Sequence, residues 1–339
     1  MRAAGLRPLS NRTRRVERLC WCGGREAILK AVLPTQLGEE FPLVKCTKCG
    51  VFALHPMPTP ENLGRYYSNE YYGKTRQKFV GPMARAVSWF QTKRARYITR
   101  FLTPGGPHRI LDVGCGNGGL LRALQKMGHY VEGTEWTAES AERVPAQFGI
   151  PVHVGDLVDM DLPAESYDAV VLWHVFEHVA RPAETLEKVH HILKKRGRVF
   201  IALPNHESWQ AQRFGPNWFH LDPPRHLHGF GVHSLLTLLA LKEFRWIQTQ
   251  TNSFEQNPYG FLQSLLNSMG YPRDQAYGVL KGTAKVSFGT ALRDLALVGA
   301  LAPLAVATDV IESAVDAGAT LTVVACRTDD HRVARRPPS

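Results

Sequence analysis

The sequence predicts an α/β protein built on an open, mostly parallel sheet. Three observations carry this. The apolar run Ile110-Leu111-Asp112-Val113 leads into the glycine cluster Gly114-Cys115-Gly116-Asn117-Gly118-Gly119. Leu120, Leu121, Leu124 and Met127 then recur at helical spacing, so strand, tight turn and helix follow one another. Further runs fit the ends of a third, fourth and fifth strand, at Val154-Gly155-Asp156-Leu157, Tyr167–His174 and Arg196–Asn205. With 339 residues, 44% of them hydrophobic, the chain can hold one large domain with appendages, or two domains.

The net charge is +11, and much of it sits at the ends. Residues 1–18 read as a disordered basic arm and residues 328–339 as a disordered tail. Such ends suit nucleic acid, anionic lipid or an acidic substrate, or serve solubility alone. The first 30 residues contain no apolar stretch of the kind a secretory signal needs. Leu295–Ala307 is the longest apolar run. It is too short to span a bilayer, and Pro303 interrupts it, so no transmembrane segment is expected. A buried helix is the reading there, with peripheral membrane contact as the alternative. The expected location is the cytoplasm.

Residues 19–75 read as a zinc-ribbon-like lobe. Cys20-Trp21-Cys22-Gly23 and Cys46-Thr47-Lys48-Cys49-Gly50 have the form of two knuckles, and four thiolates satisfy a tetrahedral structural zinc. A lobe this small has little core, so Zn2+ on Cys20, Cys22, Cys46 and Cys49 would hold it together; a metal-free vestige is the alternative. Four tyrosines within Tyr66–Tyr72 could lid a cofactor pocket or pack the lobe. Residues 76–105 form a linking helix, opened by Gly81-Pro82, with an apolar face of Ala86, Trp89, Phe90, Ala95, Ile98 and Phe101. Thr103-Pro104-Gly105-Gly106-Pro107 ends it.

Residues 106–252 hold the core. Gly114, Gly116 and Gly119 also satisfy the dinucleotide pattern G-x-G-x-x-G. Asp112 argues against a dinucleotide, since a carboxylate there would repel a pyrophosphate but suit an ammonium group. Glu135, about 20 residues on, should end the second strand and can accept both ribose hydroxyls, which dinucleotide enzymes share. Ser234–Leu241 reads as a helix and Phe244–Thr251 as the sixth strand. Residues 253–318 are a mostly helical insertion, flexible near Tyr271–Thr283, and residues 319–327 are the last strand. Cys115 and Cys326 read as buried small residues.

With these motifs in order and at this spacing, residues 106–252 resemble the class I S-adenosylmethionine (SAM)-dependent methyltransferases. The resemblance implies a Rossmann-like sheet of seven strands, the last inserted antiparallel between the fifth and sixth. It also implies that Asp112, Gly114, Gly116 and Gly118 hold the methionine end and Glu135 the ribose. Asp156 and Leu157 would frame the adenine, with Asp156 accepting from its amine, and Trp136 could pack on its face. Trp173-His174-Val175-Phe176-Glu177-His178 follows a methyltransferase pattern in which the end of the fourth strand faces the reactive side of the cofactor. Metal ligation by Glu177 and His178 is the lesser reading there.

Similar zinc lobes precede the methyltransferase domain in some sugar methyltransferases, usually with C-x-x-C at both ends; the first pair here is C-x-C. His220, His226, His228 and His233 cluster in and beside a proline-stiffened segment, Trp218–Phe230, after the fifth strand. This is read as a substrate-facing loop, with a histidine zinc site or a purely structural loop as rivals. It is similar to the W-x-x-L-D-x-P-R-H-L-x-H-F signature of many bacterial methyltransferases. In sugar C-methyltransferases a Glu-His pair stands in a similar place. His226 matches that histidine, and Arg225 replaces the glutamate.

The expected function is SAM-dependent methylation of a small hydroxylated acceptor, possibly a sugar or another cell-envelope or secondary metabolite. His226, then His174 and His178, are the candidate bases. A nucleic acid acceptor fits less well, because the basic charge is terminal and no Asn/Asp-Pro-Pro-Tyr/Phe motif follows the fourth strand. A non-catalytic SAM-binding or zinc-mediated interaction module is the rival from another class. Oligomeric state is not legible.

Overall fold

The computed structural model describes residues 14–35, 37–66, 82–281 and 286–329. Its strands are β1 (Arg15–Glu17), β2 (Glu26–Pro34), β3 (Glu40–Cys46), β4 (Phe52–Leu54), β5 (Arg109–Val113), β6 (Tyr130–Glu135), β7 (Val152–Val154), β8 (Tyr167–Trp173), β9 (Leu193–Pro204), β10 (His228–Gly229), β11 (Phe244–Gln250) and β12 (Thr320–Arg327). The chain divides into two compact units. One comprises Val80–Leu203, Leu235–Gln250 and the segment from Thr322 onward; the other comprises the chain up to Phe79, Pro204–Ser234 and Thr251–Leu321.

The first of these units holds a seven-stranded sheet in the order β11-β12-β9-β8-β5-β6-β7. The pairs β5/β6, β5/β8, β6/β7 and β8/β9 are parallel, whereas β11 and β12 are antiparallel. β12 lies between β9 and β11, as expected from the sequence. The central strands are apolar without alternation because parallel strands are covered on both faces. Ile110, Leu111, Ala169–Leu172 and Val199–Leu203 are accordingly buried. The helix Pro82–Thr99 packs Ala95 and Ile98 into the same core as Leu120, Leu121 and Leu124 of the helix Gly119–Lys126. From β5 the chain runs outward through β6 and β7, then returns to β8 on the other side of β5. The carboxyl ends of β5 and β8 therefore flank the switch point, where open α/β sheets bind ligands.

The second unit is organised differently from the expected small lobe. Its antiparallel sheet runs β1-β2-β3-β4-β10, so the histidine-rich segment supplies a strand to the cysteine lobe through His228 opposite Ala53. Leu33, Leu43 and Leu54 share one core with Trp218, Leu221 and Leu227 and with Phe261, Leu262 and Leu266 of the helix Asn257–Ser268. The lobe's apolar residues thus belong to a larger core that the helical insertion completes.

Three expectations change. Arg15–Glu17, placed in a disordered arm, pairs with β2 as a strand. The segment after Tyr271, read as flexible, contains the helix Gln275–Lys281. The run Leu295–Ala307, read as a buried helix, lies in the helix Phe288–Ala314, most of whose large apolar side chains are exposed. Of the tyrosine cluster, Tyr66 is described and bonds Glu39 and Thr35. Residues 67–81, with the other tyrosines of that cluster, lie outside the described residues, as do 1–13 and those beyond Asp329.

Candidate cofactor site and cysteine cluster

The glycine turn is built as the sequence requires. Gly114, Gly116 and Gly118 all have positive φ, which side-chain-bearing residues adopt at a cost. At Gly114 a Cβ would also stand 2.6 Å from Val175 Cγ2. At Gly116 a Cβ would meet nothing within 4 Å among the described residues. Gly118 caps the helix Gly119–Lys126 in the left-handed region with no side-chain cap of its own.

Two carboxylates converge on this turn. Asp112 is buried on β5, and its carboxyl is pushed up to about 7 by burial; the Arg94 guanidinium opposes the shift and the Glu135 charge adds to it. Glu135 ends β6 and accepts a hydrogen bond from the Gly116 amide through Oε1. Next to it, Thr134 Oγ1 accepts from the Gly114 amide (3.3 Å) and the Thr134 carbonyl from the Cys115 amide (3.1 Å). The end of β6 and the turn after β5 are therefore one hydrogen-bonded assembly, with a carboxylate at each side. Cys115 is buried, and burial raises its thiol, in keeping with a packing role.

The remaining expected cofactor residues differ in setting. Trp136 is 65% exposed, with its ring available to a planar ligand. Asp156 caps the short turn Leu157–Asp159: its Oδ1 accepts from the Val158 amide (3.1 Å) and its Oδ2 from Arg181 (2.8 Å). Leu157 is buried beside it. Trp173 is half-buried and carries the Arg94 guanidinium 4.2 Å from its ring centroid.

Sequence reasoning missed Arg94 and Arg181. Arg94 lies on the linking helix and influences both Asp112 and Trp173; Arg181 orders Asp156. Neither belongs to a local motif, so only the folded chain reveals them.

After β8 the backbone turns sharply. His174 sits at φ +55° and its amide donates to the Ala202 carbonyl. Phe176–His178 is a single 3-10 turn, and the next α-helix begins only at Pro182. His174 and His178 are thus not successive turns of one helix. Instead His174 Nδ1 lies 3.5 Å from Oε1 of the buried Glu177. Its Nε2 is buried without a hydrogen-bond partner among the described residues. A non-glycine residue held at positive φ, with one ring nitrogen facing a carboxylate and the other unengaged, is placed rather than incidental.

His226 belongs to the other unit. Its Nδ1 lies 2.8 Å from the His220 carbonyl, and its Nε2 3.9 Å from Asp222 Oδ2. A carbonyl only accepts, so Nδ1 carries the proton and Nε2 the lone pair in the neutral ring. Arg225 forms a two-point pair with Asp222. The loop's polar groups are thereby bound to one another.

The four cysteines converge. Cys20 and Cys49 Sγ are 3.7 Å apart, Cys22 and Cys46 Sγ are 3.7 Å apart, and all four sulfurs lie within 4.8 Å of one another. A tetrahedron with Zn–S bonds of about 2.3 Å has edges of about 3.8 Å, so the donor set fits zinc. The C-x-C pair works because the turn is tight: the Gly23 amide donates to the Cys20 carbonyl (2.8 Å), and Gly23 has φ +75°. Gly50 closes the second knuckle onto the Cys46 carbonyl (3.1 Å). The hydrogen bond between Cys20 and Cys49 lowers the Cys20 thiol and raises that of Cys49, as expected of two close sulfurs that share one proton.

Residues 87–249 match the family model of a methyltransferase domain. Over 118 residues the chain is 34% identical to the ubiquinone biosynthesis O-methyltransferase of Xylella fastidiosa, an overlap of 33% of this chain and 48% of that protein. The chain thus spans about half the length of the curated relatives it matches. In structure it is similar to a SAM-dependent methyltransferase from Archaeoglobus fulgidus (TM-score 0.47, 18% identity, 76% of this chain and 97% of that one). It is also similar to phosphoethanolamine N-methyltransferase 2 of Haemonchus contortus in complex with SAM (TM-score 0.46, 18% identity, 71% and 53%).

Proposed function

We propose that this chain, whose residues 87–249 match a methyltransferase domain, is a class I SAM-dependent methyltransferase that methylates a small hydroxylated acceptor. The observation that carries this is the pairing of Asp112 and Glu135 around the glycine turn at the β5/β8 switch point. SAM, when bound, supplies an electrophilic methyl on a sulfonium. In this reading Asp112 would hold an ammonium group, Glu135 would accept two ribose hydroxyls, and the turn at Gly116 would admit the ligand backbone. Trp136 offers a face to the adenine, beside Leu157 and the Asp156 cap.

The acceptor oxygen forms its bond to the methyl carbon as the carbon–sulfur bond breaks, and the hydroxyl proton needs a base. His174 is our first candidate: Nδ1 faces Glu177, which would steady a positive ring, while Nε2 has no hydrogen-bond partner among the described residues. His226 is the second, since the His220 carbonyl leaves its Nε2 as the proton acceptor. Relatives named for O-methylation in ubiquinone biosynthesis favour an oxygen acceptor.

One Zn2+ on Cys20, Cys22, Cys46 and Cys49 would brace β2, β3 and the two knuckles. Calorimetry with S-adenosylhomocysteine tests the cofactor assignment: wild type should bind and Glu135→Ala should bind at least about tenfold more weakly, one lost charged hydrogen-bonding group. Equal affinity in the two proteins refutes the ribose assignment. Mass spectrometry of acceptor pools for a methyl-sized gain then identifies the substrate.

A further inference from the structure

The helix Phe288–Ala314 reverses the usual amphipathic arrangement. Asp294, Asp309 and Glu312 are buried on its inner side. Asp294 accepts from Gln275 Nε2 (2.7 Å) and from the Tyr271 hydroxyl, and Glu312 accepts from Gln210 Nε2 (2.9 Å). The exposed positions, by contrast, are glycine, alanine, proline or larger apolar residues, with Arg293 the one charge among them. Phe288, Leu292, Leu304, Val310 and Ile311 are each more than half exposed. A helix facing water has the opposite pattern. The helix is also long and apolar enough to cross a membrane by length and composition.

We propose that this helix lies in the surface of an anionic lipid bilayer, its outer face seated at the headgroup–acyl boundary. Three features favour lipid. At 3.6 residues per turn, the exposed apolar positions sweep an arc of about 180°, wider than the stripe one partner helix covers and suited to a fluid medium. The acids are turned inward, Asp294 and Glu312 hydrogen-bonded to the unit, which removes from the outer face the charges that anionic lipid would repel. The chain's net charge of +11 complements a negative surface. The helix lies on the bilayer rather than crossing it because both its ends are fastened to the same unit. Asp294 is held by Tyr271 and Gln275 near one end. Near the other, the Ala317 amide donates to the Glu312 carbonyl and the Trp209 amide to the Ala317 carbonyl.

The test is flotation of the purified full-length protein with vesicles of phosphatidylcholine containing phosphatidylglycerol. Wild type should float with them and stay bound when salt is raised, because apolar insertion is not screened as surface charge is. Leu304→Glu/Val310→Glu, two exposed sites, should weaken partitioning at least about tenfold. Leu304→Met/Val310→Leu should keep it, and circular dichroism of all three proteins should coincide. Failure of wild type to float overturns the proposal. So does release by salt together with wild-type partitioning of the glutamate variant, which would assign binding to the basic ends. A wild-type dimer that the glutamate pair dissociates, with no vesicle binding, would overturn it in favour of a second copy of this chain.

Discussion

The protonation of Asp112 should be visible in cofactor affinity. Burial lifts its carboxyl to about 7 in the free protein, and only the carboxylate can pair with an ammonium group. Binding a cation would lower that value, so affinity should rise with pH until Asp112 is ionised. With a free-state value of about 7, the ionised fraction is about one-eleventh at about pH 6 and about two-thirds at about pH 7.3. Allowing for a ligand amine that begins to lose its own proton near about 7.8, affinity should increase about five- to sevenfold across that interval. Titration calorimetry with S-adenosylhomocysteine in matched-ionic-strength buffers reads it directly. Asp112→Asn keeps the volume and cannot ionise. It should bind more weakly at the upper pH, and its affinity should change little between the two. A wild-type affinity flat with pH, or an equal slope in Asp112→Asn, refutes the assignment of the ammonium group to Asp112. The same shift has a sign for stability: a carboxyl raised on folding binds its proton more tightly in the native state. Its contribution therefore favours the fold at acid pH and is lost as pH rises through about 7.

Elemental analysis of protein purified without added metal should give one zinc per chain, and Cys22→Ser should reduce it sharply; a full complement of metal in that variant would remove Cys22 from the ligand set. Gly114→Ala should destabilise the protein by about 2–4 kcal/mol, from about 1 for the left-handed backbone and about 1–3 for overlap with Val175. Urea unfolding of Gly114→Ala with and without Val175→Ala separates the two parts, and a loss below about 0.5 kcal/mol would contradict the close approach. Once an acceptor is known, His174→Asn should lower turnover by roughly 10²–10⁴-fold while S-adenosylhomocysteine affinity stays near wild type. Full turnover in His174→Asn, with loss in His226→Asn, would move the base to His226.

The sheet's central unit was legible because its signals are local. The apolar strand, the positive-φ glycines and the periodic helix lie within about 20 residues, and each position has a conformational reason that no distant contact alters. The roles proposed for Asp112 and Glu135 start from that spacing. The four cysteines suggested a metal site from the sequence, but whether a C-x-C pair could bring all four sulfurs together rested on pairing between strands: Ala27 stands opposite Cys46 in the β2/β3 ladder, which carries the two knuckles together. Tertiary structure alone decided what reaches a site from far along the chain. Arg94 comes to Trp173 from a helix preceding the first core strand, Arg181 to Asp156 from 25 residues away, and β10 to β4 from a loop read as substrate-facing. It also decided the direction of the helix Phe288–Ala314. An almost wholly apolar run has little periodicity to say which side faces in, so composition could not distinguish a buried helix from an exposed one. Asp294 and Glu312 settle the matter only when their partners, Tyr271, Gln275 and Gln210, are in place. A buried carboxyl needs those hydrogen bonds more than an exposed leucine needs a neighbour.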